Sequence, residues 1–279
     1  MDLERDLEFL QKNRFTETSM EKNLCKEAFV REWETLISRH AGESWKLLRE
    51  KFADLATWLP VATDGVKVYL HPTPAGQLPI LECEDDGDFI YLMQNVAYRG
   101  QLRPVPDSQG AVFNKRHNIV LLSHRNYSGI PAELFGLELS DWRRKSLVLR
   151  REHEAAHYMT QRFYHSAKNE IHDEIIADFM GLTAAFGDYD PRKFAAFIGL
   201  DAYPKYRNGS RLEIYLDKGS NDKGGIKNKN FNLLCETILK VAENISLCYR
   251  KEGSDRDKMF HILCRTSVSD MAEGSFVLE

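Results

Sequence analysis

The sequence predicts an α+β fold, a small sheet with helical stretches before and after it. Three observations lead there. Residues 1–60, and again the chain from Ser140 onward, place apolar side chains three and four apart. Residues 61–125 instead carry short β-branched and aromatic runs separated by turn residues. The 279 residues are 43% hydrophobic and 29% charged, an ordinary globular balance, and the length suits one large domain or two modest ones.

The elements follow in order. Leu3, Leu7 and Leu10 share one helical face. Thr18 followed by Glu21 fits a capping box that opens a helix carrying Leu24, Ala28 and Leu36, and Gly42 breaks it. Trp45, Leu48, Phe52, Leu55 and Leu59 then repeat at helical spacing until Pro60. The runs Val66–Leu70, Phe89–Met93, Ala111–Phe113 and Asn118–Leu122 are expected as strands of a mixed or antiparallel sheet. His71-Pro72, Asp86-Gly87 and the stretch from Asn126 to Gly129 are expected as turns. Ser140 is an N-cap candidate with Asp141 in the first turn. Trp142, Leu149, His153, His157, Thr160 and Tyr164 then fit one face of a helix. A second helix is expected from about Asn169 to Phe186, with Gly187 to stop it and Pro191 to start the next. Residues 217–230 form a polar, Gly- and Lys-rich loop, whose basic part at 223–229 is a solvated surface. A last amphipathic helix carries Phe231, Leu234, Ile238, Val241, Ile245 and Cys248 as a packing face.

Charge and composition narrow the function. The net charge is -4, without the basic excess of a nucleic-acid binder. No segment approaches the ~20 consecutive apolar residues of a membrane-spanning helix. The first ten residues, MDLERDLEFL, carry acids where a secretory signal carries bases. These features lead to the expectation of a cytoplasmic protein. Cys25, Cys83, Cys235, Cys248 and Cys264 are odd in number and form no C-x-x-C pair, so free thiols are expected.

His153-Glu154-Ala155-Ala156-His157 is an H-E-x-x-H motif within a helical stretch. The spacing of four places both imidazoles on one face, a turn apart, where they can share a metal ion. Glu154 is rotated away from the two ligand positions and suits a general base acting on water. A catalytic zinc ordinarily takes a third protein ligand and keeps one position open. The stretch from Glu170 to Asp178 offers Glu170, His172, Asp173, Glu174 and Asp178. At ~100° per residue, Glu170, Glu174 and Asp178 share a face and His172 points nearly opposite. Periodicity therefore leaves Glu170 and Glu174 as rivals.

Glu174-Ile-Ile-Ala-Asp178 resembles the E-x-x-x-D element of the gluzincin metallopeptidases. The resemblance implies that Glu174 is the third zinc ligand and that Asp178 accepts a hydrogen bond from His153. The run from Glu174 to Leu182 and the later Gly187-Asp-Tyr-Asp-Pro191 are similar to the segment following the third ligand in the HtpX and CAAX prenyl protease group. That group is membrane-embedded, whereas this chain carries no apolar span. Here sixteen residues separate His157 from Glu174, and Arg150 and Arg151 precede the motif where metallopeptidases usually carry uncharged residues. A metzincin would need Gly at Thr160 and His at Phe163, and neither a G-x-S-x-G nor a Walker loop occurs.

The resulting expectation is a zincin-like catalytic domain over residues 61–279, with a helical segment at 1–60. The cofactor is Zn2+, which two imidazoles and a carboxylate suit. The reaction is hydrolysis of a peptide or protein substrate, with Glu154 as general base. Tyr164, Tyr203, Tyr206 and His261 are candidates to stabilise an oxyanion, and the sequence assigns none of them. Ala111–Phe113 and Asn118–Leu122 are candidate edges for a substrate strand. The alternative is a non-catalytic metal-binding regulatory or interaction protein on a zincin scaffold.

Overall fold

The computed structural model describes residues 10–16, 20–21, 24–167, 170–207, 210–212 and 229–278. It is an α+β structure with a four-stranded mixed sheet and, among the described residues, nine α-helices. The chain divides into two compact units, Glu21–Phe163 and Met1–Met20 with Tyr164–Glu279.

In the Glu21–Phe163 unit, β1 (Val66–Thr73) and β2 (Gly76–Cys83) form an antiparallel hairpin. At its turn Thr73 Oγ1 accepts from the Ala75 amide and donates to the Gly76 carbonyl, and Gly76 takes a φ of 124° that a side chain would resist. β2 pairs in parallel with β4 (Ile119–Ser123), which pairs antiparallel with β3 (Ala111–Asn114). The order β1-β2-β4-β3 leaves β3 as an edge and places β4 inside the sheet. Asn118–Leu122 therefore offers no edge to a substrate. His71-Pro72, expected as a turn, lies within β1, where the edge position tolerates a proline that cannot donate to a ladder.

Alternation along the strands gives the sheet two different faces. On one, Val66, Leu81, Cys83, Ile119 and Leu121 pack with Trp33 and Leu36 of α1 (Ala28–Arg39) and Leu47 and Leu48 of α2 (Ser44–Lys51). Phe89 and Leu92 of α3 (Asp86–Leu92) complete that core. The helices upstream of Pro60 thus share one core with the sheet. The other face carries Tyr69, His71, Glu82 and Phe113 toward α4 (Leu139–Tyr164): His71 Nε2 meets Glu152 at 2.9 Å, and the rings of Phe113 and Tyr158 cross edge to face at 6.1 Å.

Phe89–Met93 is helical, not a strand. Asp85 caps it by accepting from the Asp88 amide at 3.1 Å. Phe89, Leu92, Met93 and Val96 also recur at three, four and seven, so one helical face buries all four.

In the other unit, α5 (Ile171–Phe186) is buried from Ile171 to Thr183 and ends at Gly187 in a left-handed conformation. Asp190 caps α6 (Pro191–Ile198), with Pro191 in its first turn. α7 (Lys229–Lys251), α8 (Arg256–Arg265) and α9 (Val268–Glu273) follow. α5 packs with α6 and α8, and α7 with α6 and α9. A short turn at Arg14–Thr16 buries Phe15, and Asn13 Nδ2 donates to the Cys264 carbonyl at 2.9 Å.

Leu3, Leu7, Thr18, Asn169 and residues 217–228 lie outside the described residues. All five cysteines are free, Cys25 exposed and the others buried.

Candidate metal centre

α4 carries the H-E-x-x-H motif on a helix held along one stripe. Trp142 Nε1 donates to the Ile130 carbonyl at 2.7 Å, and Ser146 Oγ accepts from the Tyr127 amide at 3.0 Å. Arg150 donates to the carbonyls of Arg125 and Asn126. His153 Nδ1 meets the Tyr127 hydroxyl at 3.0 Å. These positions follow at intervals of four, four and three, so one helix face grips the segment 125–130 and continues into the motif.

The two histidines of the motif converge. Their rings are nearly perpendicular, at 83°, and Nε2 of His157 lies 3.3 Å from Nε2 of His153. Two nitrogens each ~2.0–2.1 Å from one tetrahedral zinc would lie roughly 3.3–3.4 Å apart. Glu154 stands off this stripe, and its Oε2 accepts from the Phe113 amide of β3 at 2.6 Å. That bond fixes the orientation of the carboxylate.

Of the five acidic or histidine candidates between Glu170 and Asp178, Glu174 is the one that joins the two histidines. One ligand atom from each of His153, His157 and Glu174 lies within 4.8 Å of the others, and this is the one such group among the described residues. The chemistry of the set, two imidazoles and a carboxylate, fits a metal ion. Glu170 is the N-cap residue of α5, with extended backbone angles, and its side chain pairs with Arg14. Asp173 is buried and also pairs with Arg14. His172 is buried with Nε2 against the Leu263 carbonyl at 2.9 Å, and burial pulls its pKa down to about 4.

Arg211 meets two of the acids on α5. Nη2 donates to Glu174 Oε2 at 2.8 Å, and Nη1 to Asp178 Oδ1 at 3.0 Å. Glu174 and Asp178 are 4% and 0% exposed, and such buried carboxylates need a counter-charge. Among the oxyanion candidates, the Tyr164 hydroxyl meets His261 Nδ1 at 2.9 Å. Tyr203 donates to Glu236 at 3.0 Å, and Tyr206 packs on Phe231.

Sequence reasoning missed Tyr127, Arg150 and Arg211. Arg150 carried a usable signal: it precedes His153 by three on the same helix face, where a solvent-facing arginine is out of place. Tyr127 sits in a turn segment and Arg211 far along the chain, and no periodicity ties either to the motif.

Fold and site together define an α+β protein with a His-His-Glu group that could hold a metal ion. The chain belongs to DUF7005, a family of unknown function, whose model matches residues 56–118 and 114–275. That span includes the H-E-x-x-H motif, Glu174 and Arg211. No curated protein and no solved structure matches the chain. No helix among the described residues is long and apolar enough to cross a membrane.

Proposed function

We propose that the protein is a zinc-dependent metallopeptidase of the gluzincin type. The observation that carries this reading is the convergence of the two motif imidazoles, Nε2 to Nε2 at 3.3 Å, in a group completed by Glu174. His153, His157 and Glu174 would hold the ion, with zinc favoured by two nitrogens and one carboxylate. When bound, such a metal supplies Lewis acidity toward a carbonyl and toward water.

Glu154 is outside the ligand group and is the general base. Its carboxylate takes the proton from the attacking water and passes it to the leaving amine as the C–N bond breaks. The anchor at the Phe113 amide keeps it aimed without a metal bond. Ala111–Phe113 of the edge strand β3 is the candidate rail for an extended substrate, which would pair with backbone groups of this edge other than the Phe113 amide that Glu154 holds. The substrate class is peptide or protein, and Asp178 shares Arg211 with Glu174.

One observation favours the alternative, a non-catalytic metal-binding regulatory or interaction protein. Arg211 already pairs with one oxygen each of Glu174 and Asp178, a cation of the chain's own. Glu154→Gln separates the two readings, because it keeps size and removes basicity. The variant is expected to retain about one zinc per chain. Cleavage of unfolded proteins or a peptide library, read by mass spectrometry, is expected to fall ~10²–10⁴-fold. Loss of zinc in this variant would place Glu154 among the ligands. A zinc-loaded wild type without chelator-sensitive cleavage would favour the alternative.

A further inference from the structure

We infer that Tyr127 is a positioning residue of this centre: its hydroxyl accepts the Nδ1 proton of His153 and so presents Nε2 as the donor, while Arg150 holds Tyr127 in place. The inference rests on the metal-centre reading for its consequence, and on the geometry of the Glu21–Phe163 unit for its basis.

The geometry is specific. A metal-ligating imidazole nitrogen carries no proton, so when Nε2 binds, Nδ1 must carry it and needs an acceptor. The Tyr127 oxygen lies 3.0 Å from that Nδ1, and Nε2 of the same ring faces His157. Both nitrogens of His153 are therefore turned as ligation requires.

Tyr127 is not on a regular element, so something must fix it. It opens a short turn in which Ser128 takes a φ of 53° and Gly129 a φ of 67°. Three contacts to α4 hold that turn. The Tyr127 amide donates to Ser146 Oγ, the carbonyls of Arg125 and Asn126 accept from Arg150, and the Arg150 guanidinium lies 5.8 Å from the Tyr127 ring centroid. Arg150 is 3% exposed, which is uncommon for an arginine and explains the charge that precedes the motif. Gly110 makes room for it: a Cβ there would stand 2.2 Å from the guanidinium carbon. Gly110, Arg150, Tyr127 and His153 thus form one chain of supports, three of them remote in sequence from the motif or outside its spacing.

Tyr127→Phe tests this, because it keeps the ring, the turn and the packing and removes one oxygen. Two readouts are needed. Zinc affinity, measured against a chromophoric chelator, is expected to fall about 10–100-fold, with the melting temperature of the metal-free variant within a few degrees of wild type. Long-range proton–nitrogen NMR of protein labelled at histidine is expected to show His153 as the Nδ1–H tautomer in metal-free wild type and a mixture in the variant. Gly110→Ala, which displaces Arg150 without touching Tyr127 or a ligand, is expected to move both readouts the same way. If it fails to fold, Tyr127→Phe carries the test alone. An unchanged tautomer overturns the inference, whatever the affinity does. Unchanged zinc affinity also overturns it, and a loss confined to Asp178→Ala would give the orienting role to Asp178. If wild type binds no zinc, the metal reading falls and the tautomer alone decides whether Tyr127 orients His153.

Discussion

Replacing Arg211 with Gln separates two jobs that one guanidinium performs. Its two nitrogens donate at 2.8 and 3.0 Å to Glu174 and Asp178, whose side chains are 6% and 0% exposed, while its own is 10% exposed. Removing one partner of a buried ion pair costs ~3–5 kcal/mol, because the remaining charge stays out of water. In metal-free protein the urea midpoint of Arg211→Gln should therefore fall by the equivalent of ~3–5 kcal/mol. With metal present the sign reverses for one of the two acids. A cation on Glu174 would supply the counter-charge, and in the variant it would no longer compete with Arg211 for that carboxylate. If the metal recovers about half of the loss, roughly 1.5–2.5 kcal/mol, linkage requires zinc to bind ~10–70-fold more tightly. The assay pairs a chelator-competition titration with urea denaturation in the presence and absence of zinc. Arg211→Lys should fall between, since it keeps the charge and loses the fork. Weaker zinc binding in Arg211→Gln would refute the reasoning and make Arg211 a support for the ligands.

Two further predictions follow from the same residues. Glu174→Ala should strip zinc in dialysis while Glu170→Ala retains it, since Glu170 sits at the helix cap beside Arg14 and outside the ligand group; the reverse in elemental analysis would remove Glu174 as a ligand. Burial pulls the pKa of His172 in the folded chain from 6.5 to about 4, so the unfolded chain binds the extra proton between those values. Stability should then be full above pH ~6.5 and decline as pH falls toward 4, by up to ~3 kcal/mol from this group. Urea titrations of wild type and His172→Gln over that window should show the slope flatten in the variant, and an equal slope would exclude His172 as its source.

Much of the helical content was legible because its signals are local. Asp190 with Pro191, and Gly187 at the end of α5, are punctuation that each segment carries for itself. The sheet was less legible. β2 (Gly76–Cys83) was not foreseen, since Pro79 and the flanking Gly76 and Gln77 dilute its apolar run. Phe89–Met93 reads as a strand by its β-branched and aromatic composition, yet a cap at Asp85 and a stripe at three and four make it helical. In both segments tertiary burial, not propensity, set the outcome.

The site divides along the same line, for a physical reason. A spacing of four on a helix is a geometric statement, so His153 and His157 could be placed together from sequence alone. Glu154 could be placed off their face by the same rule, although its partner, the Phe113 amide, could not. The supports are different in kind, since Tyr127 and Arg211 reach their partners through turns whose course no short-range rule fixes. Yet α4 links the legible and the illegible parts. Trp142, Ser146, Arg150 and His153 lie on one stripe, so the face that presents His153 also grips the segment carrying Tyr127. A change in that segment is therefore expected to act on His153 through α4's own contacts, with His153, His157 and Glu174 unaltered. This is why a buried arginine three residues before the motif, unusual when read as surface charge, is intelligible as part of the centre's frame.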